Sequence, residues 1–194
     1  MSVLSKKHNF DMVFDSQEVF RLILDATANP SRIAELGRFS EKLYGEYSAF
    51  LAAAFTLLDN EVSFHVCGAQ DLSNEIKSYT LAAEADVESA DFIFVCSTDQ
   101  IKNAIESAKC GTLPDPHKSA TIIVANDDEF IVPLIFSGPG IDGNTKILAS
   151  QTMVNAITLR DAQNYEYPQG IDLIFVSGKG ELLAIPRLTR MEVY

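Results

Sequence analysis

The chain has 194 residues, 47% of them hydrophobic, which is enough for one buried core, and its 27 acidic against 15 basic residues give a formal net charge of −12. No run of Lys or Arg is long enough to track a phosphate backbone, so a nucleic-acid partner is not expected, and no apolar run reaches membrane-spanning length. The acidity predicts a self-repelling surface and leaves room for a local basic pocket.

Met1 to Asn9 carries Lys6 and Lys7 with no apolar segment behind them of leader length. Cys67, Cys96 and Cys110 are odd in number and widely spaced, which suits a reducing compartment, and a cytoplasmic protein is expected.

In chain order, Asp15 followed by Glu18 reads as a capping box, and Val19, Leu22, Ile23 and Ala26 share one helical face until Asn29-Pro30. The run Tyr47 to Leu58 has helical periodicity with an almost wholly apolar girth, the pattern of a helix buried against a sheet. Asp59-Asn60 turns the chain, and Val62, Phe64 and Val66 alternate as a strand. Ser73 or Asn74 is the expected start of a helix through Ile76, Tyr79 and Leu81, and an acidic patch from Glu84 to Asp91 follows.

Phe92 to Cys96 is a continuous apolar run, a strand buried on both faces. Thr98 or Asp99 then caps a helix through Ile101, Ala104, Ile105 and Ala108, ended by Gly111. Ala120 to Ala125 is a second buried strand. Asn126-Asp127-Asp128 turns into Glu129 to Phe136, which Pro133 marks as an edge or bulged strand. The loop Gly138 to Gly143 precedes a helix over Thr152 to Gln163. Ile171 to Val176, the Gly178 to Gly180 reversal and a second apolar run from Glu181 that ends at Pro186 form a hairpin. Strands alternating with helices and closing on a hairpin predict an α/β fold, a single domain over 1–194 with a mixed β-sheet flanked by helices.

Chemistry is thin in this pattern. His8, His65 and His117 have no metal-site spacing and read as structural or surface residues. Asp127-Asp128-Glu129 reads as an acidic turn before a divalent-ion site. No Gly-x-Ser-x-Gly elbow occurs, and Cys67 and Cys96 sit where strand packing explains them. Gly138-Pro139-Gly140 lacks the phosphate-cradle patterns, so a plain turn is favoured over an anion site. The Ser97-Thr98-Asp99 crest after an apolar strand is where open α/β sheets bind ligands, but Asp99 would oppose an anion. Asp172 reads as a turn or capping acceptor, and Arg187 and Arg190 as solvated residues or as anion or partner contacts.

Pro168-Gln169-Gly170-Ile171-Asp172-Leu173, Leu183-Ala184-Ile185-Pro186-Arg187 and the closing Thr189 to Val193 together resemble the C-terminus of the PhnH family, subunits of the bacterial carbon-phosphorus lyase core complex. Phe20-Arg21 through Asn29-Pro30, Leu57-Leu58-Asp59, Gly111-Thr112 with Pro116, Ala120-Thr121 and Gly138-Pro139-Gly140-Ile141 fall in the family's order. Ser31 and His117 stand where glycine and glutamate are expected.

The resemblance implies an accessory or scaffold subunit, non-catalytic or co-catalytic, with PhnG, PhnI and PhnJ as partners and a homodimer when isolated. The assembly transfers an alkylphosphonate to the ribose C1′ of ATP with loss of adenine and later cleaves the carbon-phosphorus bond. Its S-adenosylmethionine and iron-sulfur chemistry belongs to other subunits. The implied fold is that of the large domain of PLP-dependent transferases without PLP, and no cofactor or metal is expected. Lys102, Lys109, Lys118, Lys146 and Lys179 all read as solvated. No catalytic residue transfers. The candidate ligand or partner contacts are Gly138, Gly140, Asp172 and Arg187. The alternative is a nucleotide- or phosphonate-binding protein or transferase with its own pocket near those residues, and an interaction module of an unrelated assembly is the third reading.

Overall fold

In the computed structural model, which describes residues 8–193, the apolar runs are divided between two sheets. Lys6 and Lys7 lie outside the described residues. The chain enters with α1 (Phe14–Ala28), β1 (Ala34–Glu35), α2 (Gly37–Ser40) and α3 (Ser48–Leu57). It continues through β2 (Ser63–Cys67), α4 (Gln70–Tyr79), β3 (Ala83–Glu84), β4 (Phe92–Val95), α5 (Ile101–Ser107) and β5 (Thr121–Ala125). The last third holds β6 (Val132–Ser137), β7 (Thr145–Ala149), α6 (Gln151–Asp161), β8 (Asp172–Val176), β9 (Glu181–Ile185) and β10 (Arg190–Val193).

The main sheet has seven strands in the order β1-β9-β8-β5-β4-β2-β3. β3, β2, β4, β5 and β8 run parallel, whereas β9 runs antiparallel to both of its neighbours, β8 and β1, which makes the expected mixed sheet. Phe94, Ile123 and Ile174 stand in register and point to one face, and Ile93, Ile122 and Leu173 to the other, because successive strand side chains alternate. The first face is covered by α1, α3 and α4, and the second by α5, α6 and residues of the small sheet. Each fully buried Ile, Leu or Phe of these rows contributes about 1.5–3 kcal/mol. α3 is buried on every side from Ala49 to Phe55, as its apolar girth predicted.

The helix starts differ from expectation. Asp11, not Asp15, caps α1: its Oδ1 accepts from the Val13 and Phe14 amides at 2.8 and 2.9 Å. Asp15 lies inside the first turn, buried, where it accepts from Lys42 at 2.7 Å, and Glu18 reaches Arg38 instead of the helix start. The predicted core face does form, with Val19, Ile23 and Ala26 buried. α4 begins at Gln70, ahead of Ser73, whose amide already donates to the Ala69 carbonyl at 3.2 Å and whose hydroxyl donates to Glu84 at 2.5 Å; Leu81 falls beyond the helix and is 82% exposed. Neither Thr98 nor Asp99 caps α5. They form a 3-10 turn ahead of it, with Ser97 donating its hydroxyl to Asp99.

The main departure is the second sheet, three strands in the order β10-β6-β7. The Glu129 to Phe136 run is therefore its central strand, not an edge. Pro133 is tolerated because β6 pairs with β7 over Val132 to Phe136 but with β10 only from Leu134 onward, so Pro133 occupies a locally one-sided stretch. α6 starts where Ser150 accepts from the Met153 amide at 3.1 Å. In the β8–β9 hairpin, Gly180 has φ +87°, and a Cβ there would lie 2.6 Å from the Gly37 nitrogen, so only glycine fits this reversal. Among the described residues, no helix is long and apolar enough to cross a membrane.

Candidate functional site

Pairing of Leu173 with Ile185 brings the entry of β8 beside the exit of β9, and this register decides the geometry of the site. Asp172 Oδ1 accepts from the Arg187 amide at 2.8 Å and from its Nε at 3.3 Å, while Arg187 Nη2 donates to Oδ2 at 2.5 Å. Nη1 of Arg187 donates to the Pro116 carbonyl. The guanidinium is thus clamped by a planar two-point contact, with the two side chains only 19% and 23% exposed. Asp172 behaves as an acceptor that aims Arg187.

Arg187 borders a cleft of about 210 Å³ that also receives Arg160, Arg190, Tyr165, Tyr167 and Gln169. Arg160, in the last turn of α6, is 2% exposed. It donates to the carbonyls of Ile185 at 3.3 Å, Pro186 at 3.1 Å and Thr189 at 2.8 Å, and its Nε to Asp161 at 2.9 Å. Those carbonyls lie at the end of β9 and in the segment that leaves the main sheet for the small one, where the Pro186 carbonyl also accepts from the Thr189 amide at 2.9 Å. With its donors spent on its own chain, Arg160 shapes the cleft wall; burial lowers its pKa and Asp161 opposes that drop. Arg190 is exposed and has no ion-pair partner among the described residues.

Burial pushes the Tyr165 phenol up to about 12, so it stays protonated at neutral pH. Gln169 is oriented by the Gly111 carbonyl at 2.9 Å. The cleft therefore offers guanidinium and neutral polar groups beside one carboxylate, Asp161, which is paired with Arg160; the surplus of arginines suits an anion. It presents no activated nucleophile. Cys96, elsewhere in the sheet, is pushed up to about 12 by burial and remains a thiol, and Cys67 is raised for the same reason.

Of the residues singled out from sequence, the fold brings Asp172 and Arg187 together and leaves Gly138 and Gly140 outside the cleft lining. Both glycines lie in the β6–β7 turn. A Cβ at Gly138 would stand 2.8 Å from the Leu188 carbonyl oxygen, and one at Gly140 2.3 Å from that of Ala28. The turn thus packs its backbone on the end of α1 and on the residue after Arg187. Arg160 had no sequence signal, since one arginine in a helical pattern reads as solvated.

The remaining polar residues have structural partners. His8 Nδ1 accepts from the Tyr44 amide at 3.1 Å, so Nε2 carries the proton donated to Glu75 at 2.6 Å. Nδ1–H of His65 donates to the Ala85 carbonyl at 2.8 Å, and His117 is exposed. Asp127 accepts from the Gly178 amide and Asp128 from Thr152, each at 2.6 Å, tying the acidic turn to the hairpin and to α6. Among the described residues, no three His, Cys, Asp or Glu side chains gather as a metal site. Strand order reverses between β2 and β4, where open sheets bind ligands. There Ser97 and Gln100 hydrogen bonds hold Asp99 below the usual carboxylate range, which disfavours an anion.

Comparison with known proteins gives a consistent result. The family described as bacterial phosphonate metabolism protein (PhnH) matches residues 8–192. The chain is similar to the alpha-D-ribose 1-methylphosphonate 5-triphosphate synthase subunit PhnH of Rhizobium meliloti (strain 1021), 27% identical over 94% of this chain and 92% of that protein. It is also 27% identical to a Stutzerimonas stutzeri protein described as C-P lyase subunit HtxG, over 91% of this chain and 86% of that one.

Proposed function

Because this chain belongs to the PhnH family of bacterial phosphonate metabolism proteins, we propose that it is an accessory, scaffold-type subunit of a carbon-phosphorus lyase core complex. The observation that carries this reading is the extent of the match, residues 8–192, together with full-length similarity to a relative named as a synthase subunit. In the proposed role the chain acts in the cytoplasm with PhnG, PhnI and PhnJ and dimerises when isolated. The complex forms a bond from a phosphonate oxygen to C1′ of the ATP ribose as the bond from C1′ to adenine breaks. We also read its main sheet as related to the large domain of PLP-dependent transferases. Reconstitution of the complex with and without this chain tests the role. ATP- and methylphosphonate-dependent adenine release should fall when the chain is omitted and return when it is added. Undiminished release without it overturns the reading.

The Arg187 and Arg190 pair favours a second reading, in which the cleft itself holds the phosphonate or a nucleotide phosphate. Calorimetric titration of the isolated chain with methylphosphonate and with ATP should then give binding that Arg190→Ala weakens about tenfold, the loss expected for one charge-assisted hydrogen bond. Absence of heat with both ligands removes this reading and leaves the scaffold role standing.

A further inference from the structure

α1 does not bury all of its apolar surface. Phe20 and Leu24, one turn apart, are 49% and 56% exposed, and Val13 at the start of the same stripe is 70% exposed. Phe20 and Leu24 overhang a groove of about 240 Å³ whose opposite wall is formed by Phe92, Ile174 and Pro186. Its charged lining residue, Asp172, is the one that clamps Arg187, so the groove and the cationic cleft share a boundary.

The charges around this groove are unequal. Asp172 is spent on Arg187, and Asp25 on Arg32 at 2.9 Å. Arg21, next to Phe20 on α1, and Arg190 in the cleft are both exposed and have no ion-pair partner among the described residues. In a chain of net charge −12, this apolar groove is thus flanked by uncommitted cations. An isologous contact would present this same patch from both sides, and the carboxylate that lines the groove, Asp172, is already held by Arg187, so the lining of a second copy offers Arg21 and Arg190 no free carboxylate.

We propose that the groove docks a partner subunit through a segment that inserts apolar side chains between Phe20, Leu24 and Phe92 and places carboxylates over Arg21 and Arg190. The proposal rests on the subunit reading above and names the partner-facing surface for it. Apolar insertion supplies the attraction, and the arginines set orientation and association rate.

The test is co-purification of the full chain with its complex subunits. Leu24→Glu should lower recovery of the complex at least tenfold, whereas Leu81→Glu, at a still more exposed leucine outside the groove lining, should leave it unchanged. Arg21→Glu combined with Arg190→Glu should slow association about tenfold at low salt, and this difference should vanish near 1 M salt, where screening reaches ~3 Å. Hydrogen exchange across residues 20–27 of the unsubstituted chain should slow in the complex, which keeps the proposal testable if Leu24→Glu fails to fold. Wild-type recovery with Leu24→Glu, or unchanged exchange in an assembled complex, overturns the groove and leaves the subunit role intact. A Leu24→Glu chain that still joins the complex but loses self-association assigns the groove to a second copy and overturns the proposal. Failure of the unsubstituted chain to join any complex overturns both readings.

Discussion

The two hollows that meet at Asp172 are built in opposite ways. Apart from the exposed Arg190, the cleft's arginines spend their hydrogen-bonding capacity on the protein itself: Arg160 on three carbonyls and Arg187 on Asp172 and Pro116. The groove is walled by apolar side chains left half-exposed, such as Phe20 and Leu24. Polar walls of this kind hold a shape, because removing one member orphans a buried partner. Half-exposed apolar walls contribute little to folding and gain most when something covers them. The difference teaches that stability and association are carried by different sides of one ion pair.

Substitutions can break this contrast, and the largest effect is expected at Arg160. Arg160→Met keeps the bulk but takes the side-chain donor from the Ile185, Pro186 and Thr189 carbonyls, of which Pro186 keeps the Thr189 amide, at a cost of about 2–4 kcal/mol, or a melting point lower by roughly 10 °C in thermal unfolding. A shift of a degree or two would mean that water replaces the guanidinium and that the wall is not self-supporting. Next in size, Asp172→Ala should cost about 2–3 kcal/mol in denaturant titration, since it strands a partly buried Arg187. The double substitution with Arg187→Ala should recover part of that loss, and strict additivity would refute the coupling.

A smaller effect tests a polar tie beneath the groove. Asp91, just before Phe92, accepts from Lys109 at 2.5 Å and from the Ser63 amide and hydroxyl at 2.7 and 2.6 Å. Burial would raise its pKa, but these bonds outweigh burial and hold it below the usual 3.8. A folded-state pKa below the unfolded value adds stability above about pH 4 that is lost as pH falls through the folded value. Asp91→Asn should therefore destabilise by about 1 kcal/mol at pH 7, with the gap from wild type closing below pH 4 in acid unfolding curves. The smallest effect belongs to the groove wall: Leu24→Ser should change stability by no more than ~0.5 kcal/mol, which thermal melts can check. A loss of 2 kcal/mol would make the groove part of the folding core and erase the contrast.

Much of the main sheet was legible in the chain. The runs Phe92 to Cys96, Ala120 to Ala125 and Ile171 to Val176 became the buried centre, and the Gly178 to Gly180 reversal made the hairpin. The site was half legible. Asp172 and Arg187 were singled out by position, but their contact depends on the pairing of β8 with β9, and Gly138 and Gly140 fell into a packed turn. The small sheet was not legible, because Thr145 to Ala149 is short and lacks a two-residue turn signal to β6.

By itself, the sequence determined what depends on neighbours along the chain: apolar periodicity, the buried strands, the tight reversal and the ordered motifs of its family. Tertiary structure alone decided which polar side chains met. Asp11 displaced Asp15 as the cap of α1 once Lys42 had drawn Asp15 inward, and Pro133 found a one-sided stretch inside a central strand. Arg160 was buried because the crossing between the two sheets gathered three carbonyls within reach of one long, multiply donating cation. Such choices rest on hydrogen-bond demands created by distant segments, and those demands exist only after the chain has folded.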